Sequence, residues 1–149
     1  MTTKSDQPKG QSVQDLGSHY SETVIDYVRN PRNVGILVYA DGYATITGPC
    51  GDTMGMWLEV RDDRIWQATF WTDGCGTTVA AGSMVTELAK GKVVAEALGI
   101  TQQDVLDALG GLPEDSVHCA LLAVNTLKAA VRDYLSLRNE PWKKAYRRI

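Results

Sequence analysis

Residues 43 to 71 read YATITGPCGDTMGMWLEVRDDRIWQATFW, and this stretch decides the fold. Hydrophobic residues recur at every second position in three runs, at 44–46, 54–60 and 66–70. A period of two is typical of strands that bury one face. The charged segment 61–64 supplies a hairpin turn between the second and third runs. The pattern therefore predicts an antiparallel sheet of three strands.

The apolar spacing on both sides of these strands changes to that of amphipathic helices. It predicts helices at 20–29, 79–88, 94–98, 101–109 and 117–134. Pro31 and Gly110-Gly111 end the first and fourth helices, and Thr101 is an N-cap. One helix, three strands and then several helices indicate an α+β fold, with the helices packed on one face of a small antiparallel three-stranded sheet.

The chain of 149 residues suits one domain. We assign 1–18 to a flexible N-terminal tail, 19–137 to the domain and 138–149 to a basic C-terminal tail. The net charge of -3 argues against a nucleic-acid binder. No apolar run approaches the roughly 18–20 residues of a membrane span, and the polar, arginine-free start lacks the features of a secretory or mitochondrial signal. These features predict a cytoplasmic protein.

The three cysteines are too few, and odd in number, for a disulfide framework. Buried apolar thiols are the simplest interpretation. However, Cys50 lies in Gly-Pro-Cys-Gly-Asp between the first two strands, and Cys75 lies in Asp-Gly-Cys-Gly before a helix. Cys119 follows His118 at the start of the last helix. Because a helix N-terminus favours a thiolate, we expect lowered pKa values for Cys75 and Cys119.

Three thiolates suit an iron–sulfur cluster, Zn²⁺ or Cu(I). A stable electron-transfer cluster normally has four cysteines, so a weaker ligand must complete the set. Asp52 and His118 are the candidates for that position. Asp52 could instead cap its turn, and His118 could be an ordinary half-buried histidine at a helix start. The residues alone leave these alternatives open.

Taken together and in this order, several motifs give the chain a resemblance to the IscU/NifU N-terminal family of iron–sulfur scaffolds. It covers about residues 20–137 and includes Tyr-Ser-Glu at 20–22, Asn-Pro-Arg-Asn-Val-Gly at 30–35, Cys-Gly-Asp at 50–52, Gly-Cys-Gly at 74–76 and His-Cys at 118–119.

The resemblance implies a scaffold rather than an enzyme. It implies that a [2Fe–2S] cluster is held by Cys50, Cys75 and Cys119 together with Asp52 or His118. Sulfur would arrive as persulfide from a cysteine desulfurase, with Cys119 as acceptor, and electrons would come from a ferredoxin-like donor. The cluster would then pass to apo iron–sulfur proteins.

Two departures from the family pattern carry information. Residues 112–116 read Leu-Pro-Glu-Asp-Ser and lack the second proline and the lysine of the segment that a dedicated Hsp70 chaperone recognises, which argues against that partner. The interval from Cys75 to Cys119 lacks the insertion of the zinc-binding SufU branch. A sulfur acceptor that binds Zn²⁺ through the same residues is the alternative function. The oligomeric state, including a homodimer, stays open.

Overall fold

The computed structural model describes residues 20–142, which form a three-stranded sheet and a set of helices. In chain order the elements are α1 (Glu22–Arg29), β1 (Gly42–Thr47), β2 (Thr53–Arg61), β3 (Arg64–Thr72), α2 (Gly76–Ala89), α3 (Val94–Ala97), α4 (Gln102–Leu109), a 3₁₀ turn (Glu114–Ser116) and α5 (Val117–Asn139). Each predicted helix and strand is present, with bounds that differ by a few residues.

The sheet has the order β1-β2-β3, and both pairings are antiparallel. Met54, Met56 and Phe70 are fully buried on the face that packs against the helices. Helix α5 contacts β1 and β2, while α2 contacts β3 and α5. The predicted α+β architecture, with helices on one face of a small antiparallel sheet, is confirmed.

One detail of the third strand departs from simple alternation. Ile65 is fully buried, whereas Trp66 is 58% exposed and lies under the guanidinium of Arg61. The β2–β3 register shifts between Glu59 and Val60. A β-bulge changes which side chains of a strand face the core from that point onward. The alternation of hydrophobic residues in the sequence does not show where a bulge lies.

The helix ends follow the signals in the sequence. Ser21 caps α1 by accepting a hydrogen bond from the backbone N–H of Val24, and its hydroxyl donates to the carbonyl of Leu109. Thr101 caps α4. Gly110 ends that helix in the left-handed region, with φ of 79°, a conformation that glycine adopts without strain.

The predicted tails are described only in part. Residues 1–19 and 143–149 lie outside the described residues. Residues 138 and 139, which the sequence assigned to the C-terminal tail, belong to the last turn of α5. Within 20–142, no helix combines the length and hydrophobicity that crossing a membrane requires.

Candidate functional site

The three cysteines converge at one end of the sheet. Cys50 lies in the β1–β2 turn, Cys75 directly precedes α2, and Cys119 is the third residue of α5. The imidazole Nε2 of His118 lies 3.3 Å from the sulfur of Cys50 and 3.8 Å from that of Cys119. The Oγ1 atom of Thr78 lies 3.4 Å from the Cys119 sulfur and 3.9 Å from the Cys75 sulfur. All three thiols therefore share neighbours, although they are far apart in sequence.

The turn that carries Cys50 is closed by backbone hydrogen bonds. The N–H of Gly48 donates to the carbonyl of Asp52 at 2.8 Å, and the N–H of Gly51 donates back to Gly48. Gly51 has φ of 92°, a value that a residue with a side chain rarely adopts. The turn leaves the Cys50 thiol exposed to solvent.

The turn that carries Cys75 is attached to the turn that carries Cys50. The carboxylate of Asp73 accepts a hydrogen bond from the N–H of Thr53 at 2.8 Å, and the hydroxyl of Thr72 donates to the carbonyl of Thr53 at 2.7 Å. These bonds join the start of β2 to the end of β3. The two cysteine-bearing turns are thereby held side by side.

The thiols of Cys75 and Cys119 influence each other and have opposite electrostatic character. Hydrogen bonding from the neighbouring Cys119 thiol lowers the pKa of Cys75 to about 4, although burial opposes this shift. The backbone N–H groups of Thr77 and Thr78 face the same sulfur and lower the pKa further, but neither forms a capping hydrogen bond to it. These interactions favour the thiolate of Cys75 at neutral pH.

The pKa of Cys119 is raised, first because its proton is held in the hydrogen bond to Cys75 and then because the thiol is buried. The expectation of a lowered thiol pKa is thus correct for Cys75 and wrong for Cys119. Cys119 does lie in the first turn of α5, but only 3% of it is exposed. Burial next to an existing negative charge outweighs the field of the helix terminus.

Both candidates for the fourth ligand lie at the site. The carboxylate of Asp52 accepts a hydrogen bond from the hydroxyl of Thr78, with Oγ1 and Oδ2 3.2 Å apart. Within residues 20–142, no hydrogen bond joins this carboxylate to a backbone N–H of its own turn, as a turn cap would require. His118 is half-buried between two of the thiols.

Thr78 is a site residue that the sequence reasoning missed. Its side chain is fully buried and its hydroxyl contacts Asp52, Cys75 and Cys119. The available signal was its position three residues after Cys75. In a helix, that spacing places two side chains on the same face.

An apolar cavity of about 130 Å³ adjoins the site. It lies beside Cys50 and His118, and Leu121 and Leu122 of α5 form part of its wall. In the part of the chain that the structure describes, no three His, Cys, Asp or Glu side chains are already arranged around a common point that could hold a metal ion.

The sequence resembles proteins whose function is curated. The chain is 48% identical to the iron–sulfur cluster assembly scaffold protein IscU 1 of Archaeoglobus fulgidus over 116 residues, which cover 77% of this chain and 76% of that protein. It is 44% identical to the iron–sulfur cluster assembly scaffold protein IscU of Escherichia coli K12 over 124 residues, covering 80% and 96% respectively.

Solved structures share the fold. The N-terminal part of a NifU-like protein from Brucella abortus superimposes with a TM-score of 0.63 at 19% identity, covering 84% of this chain and 99% of that one. A SufU protein of Fervidobacterium islandicum gives a TM-score of 0.59 at 22% identity, covering 75% and 96%. At these identities the likeness concerns the fold. The family model of the NifU-like N-terminal domain matches residues 19–141, and the chain therefore belongs to that family.

Proposed function

We propose that this protein, which is an iron–sulfur cluster assembly scaffold like its curated relatives and not an enzyme, builds a labile [2Fe–2S] cluster and passes it on. The cluster is cargo rather than a resident cofactor. Its proposed ligands are Cys50, Cys75 and Cys119, with Asp52 or His118 in the fourth position. The observation that carries the proposal is that three thiols from three separate elements share Thr78 and His118 as neighbours.

The chemistry of the donor set fits this cargo. Thiolates are soft ligands that bind iron in clusters. The remaining donors at the site are a carboxylate and an imidazole, and a carboxylate is displaced from iron more readily than a thiolate is. An incomplete set of thiolates therefore suits a cluster that must leave. The exposure of Cys50 and Cys75 gives an incoming thiol of a recipient access to the site.

The scaffold role requires a source of sulfur and a recipient of the cluster. We propose a cysteine desulfurase as the source, apo iron–sulfur proteins as recipients and a ferredoxin-like protein as the electron donor. Electrons are needed because persulfide sulfur must be reduced to become bridging sulfide. Cys119 is the proposed persulfide acceptor. The three free thiols support a location in the reducing cytoplasm.

The decisive experiment is anaerobic reconstitution of the full chain with ferrous iron and sulfide, followed by absorption spectroscopy and metal analysis. We expect a [2Fe–2S] spectrum. Replacing Cys50, Cys75 or Cys119 individually by Ser should strongly reduce the cluster yield, while thermal melts check that each variant is folded. An unchanged yield in one variant would remove that cysteine from the ligand set.

The same experiment separates this function from sulfur acceptance at a zinc site. Zn²⁺ bound by three thiolates and one further ligand is colourless and tetrahedral. If the wild-type protein retains one equivalent of Zn²⁺, does not bind iron and still accepts persulfide, the protein is a zinc-dependent sulfur acceptor. Reconstitution must start from metal-free protein, because thiolate sites also take up zinc during purification.

A further inference from the structure

The hydroxyl of Thr78 lies at the centre of the site, and none of its side chain is exposed to solvent. It is 3.2 Å from a carboxylate oxygen of Asp52, 3.4 Å from the sulfur of Cys119 and 3.9 Å from the sulfur of Cys75. A hydroxyl has one proton to donate. The carboxylate receives it, because it is a charged acceptor that lies closer to the hydroxyl than the Cys75 sulfur does.

The direction of this hydroxyl is unusual for a threonine in a helix. Threonine inside a helix commonly donates to a backbone carbonyl of the preceding turn. Thr86 in α2 does so to the carbonyl of Gly82, and Thr126 in α5 does so to that of Leu122. Thr78 lies in the first turn of α2 and instead donates across the site to Asp52.

The neighbouring glycine makes room for this pair. A Cβ atom at Gly74 would lie 2.7 Å from both Cβ and Oγ1 of Thr78, and 2.9 Å from Oδ2 of Asp52. These distances are shorter than real carbon contacts allow. Gly74 therefore serves a second purpose besides its place in the turn before Cys75, because it lets the hydroxyl and the carboxylate meet.

We propose that Thr78 is a positioning residue that holds the carboxylate of Asp52 toward the thiols, so that Asp52 can serve as the labile fourth ligand. The inference rests on the proposed function and deepens it. A carboxylate on an exposed turn would otherwise rotate into solvent. The hydrogen bond restrains it at the edge of the site, where it can bind a metal and be displaced. Groups that orient a metal ligand in this way commonly change metal affinity by about 10–100-fold when they are removed.

The test uses Zn²⁺ alone as a probe, added to the metal-free full chain in competition with a chromophoric chelator. Thr78→Val keeps the shape of the side chain and removes the hydroxyl, and it should weaken Zn²⁺ binding about tenfold or more. Thr78→Ser should restore the affinity because it restores the donor. Thr126→Val is the matched control, since it also removes a fully buried helical threonine hydroxyl, and it should leave the affinity unchanged.

A double-mutant cycle links the effect to its proposed partner. In an Asp52→Ala background, Thr78→Val should have no further effect on Zn²⁺ affinity, because the group that it positions is already absent. If Thr78→Val matches Thr126→Val, or if its effect persists in full without Asp52, Thr78 does not position this carboxylate.

Cluster reconstitution keeps the two hypotheses distinguishable. If the wild type forms no cluster, the proposed function fails whatever the zinc result is. If the wild type forms a cluster but Thr78→Val releases it to an apo-ferredoxin at the wild-type rate, only the inference on Thr78 fails. We expect this variant to transfer its cluster more slowly than the wild type.

Discussion

The imidazole Nε2 of His118 lies 3.3 Å from the sulfur of Cys50, although 68 residues separate the two in the chain. The same nitrogen lies 3.8 Å from the sulfur of Cys119. One side chain at the start of α5 thus contacts both the exposed thiol of the β1–β2 turn and the buried thiol of its own helix. This contact gives His118 a part in the site whether it binds iron or only orients Cys50.

We therefore expect His118→Ala to slow cluster reconstitution by about 10–100-fold, as loss of a ligand or of a group that orients a ligand usually does. The rate can be followed by visible absorbance under anaerobic conditions. Asn125→Ala is a suitable control because Asn125 lines the same cavity and is exposed. Equal rates for wild type and His118→Ala would make His118 an ordinary helix-start histidine.

The charge state of Cys75 can be measured from its alkylation in the metal-free protein. Its lowered pKa of about 4 means that the thiolate predominates above that pH and is protonated only as the pH falls through it. Iodoacetamide should therefore modify Cys75 at a nearly constant rate between about pH 6 and about pH 9. The alkylation rate of a thiol with an ordinary pKa would instead rise about tenfold for each pH unit over most of this range. Peptide mass spectrometry reports each cysteine separately.

Cys119→Ala removes the S–H donor that contributes most to this shift. The pKa of Cys75 should then rise, and its alkylation should become slower toward the acidic end of the range. A flat profile in this variant would mean that the backbone N–H groups of α2, rather than Cys119, hold the thiolate.

Sulfur entry provides a further prediction. When the protein is mixed with a cysteine desulfurase and cysteine in the absence of iron, we expect persulfide on Cys119. Its proton would pass to the neighbouring Cys75 thiolate while its sulfur attacks the outer sulfur of the desulfurase persulfide and the desulfurase thiolate leaves. Because Cys119 is buried, the groups that surround its sulfur must move to admit the donor. Cys75→Ser should retain the persulfide on Cys119, because it removes the sulfur that raises the pKa of Cys119 most. Mass spectrometry of peptides would locate the persulfide. Persulfide found only on Cys75, the exposed thiolate, would reassign the acceptor.

Asp52→Ala should give a folded protein whose cluster lasts longer in air and transfers more slowly to an apo-ferredoxin. The reason is that the variant lacks the weakly bound oxygen and its negative charge at the edge of the cluster. If Asp52 merely capped its turn, the variant would lose about 0.5–2 kcal/mol of unfolding free energy with no gain in cluster lifetime. Decay of visible absorbance beside a thermal melt separates the two, and faster decay would contradict the labile-ligand proposal.

Gly82→Ala should destabilise the fold, although alanine is normally the better helix former by about 0.5–1 kcal/mol. A Cβ at Gly82 would lie 2.5 Å from a ring carbon of Phe70, which is buried in the core. Overpacking of this kind costs about 1–3 kcal/mol of unfolding free energy. Gly48→Ala is the control, because its nearest contact would be an ordinary 3.6 Å. Equal denaturant midpoints for Gly82→Ala and wild type would show that the core can adapt.

The sequence by itself determined the elements and their order. Strand alternation in 44–70, helix periodicity before and after it, and stop signals such as Pro31 and Gly110 act over a few residues, so they can be read without the fold. The sequence also predicted that Cys50, Cys75 and Cys119 lie at the boundaries of helices and strands. The register shift between Glu59 and Val60 could not be predicted in this way. A β-bulge depends on how two strands pair, and the periodicity within one strand does not show that pairing.

Only the tertiary structure decided which thiol carries the charge and which hydroxyl faces Asp52. The pKa of a thiol depends on its burial and on the groups that surround it, and both Cys75 and Cys119 lie near a helix start in sequence. The tertiary fold buries Cys119 next to Cys75, and both effects raise the pKa of Cys119. The fold also places the hydroxyl of Thr78 beside the carboxylate of Asp52. Such contacts join residues that are distant in the chain, and local sequence patterns carry no information about distance in space.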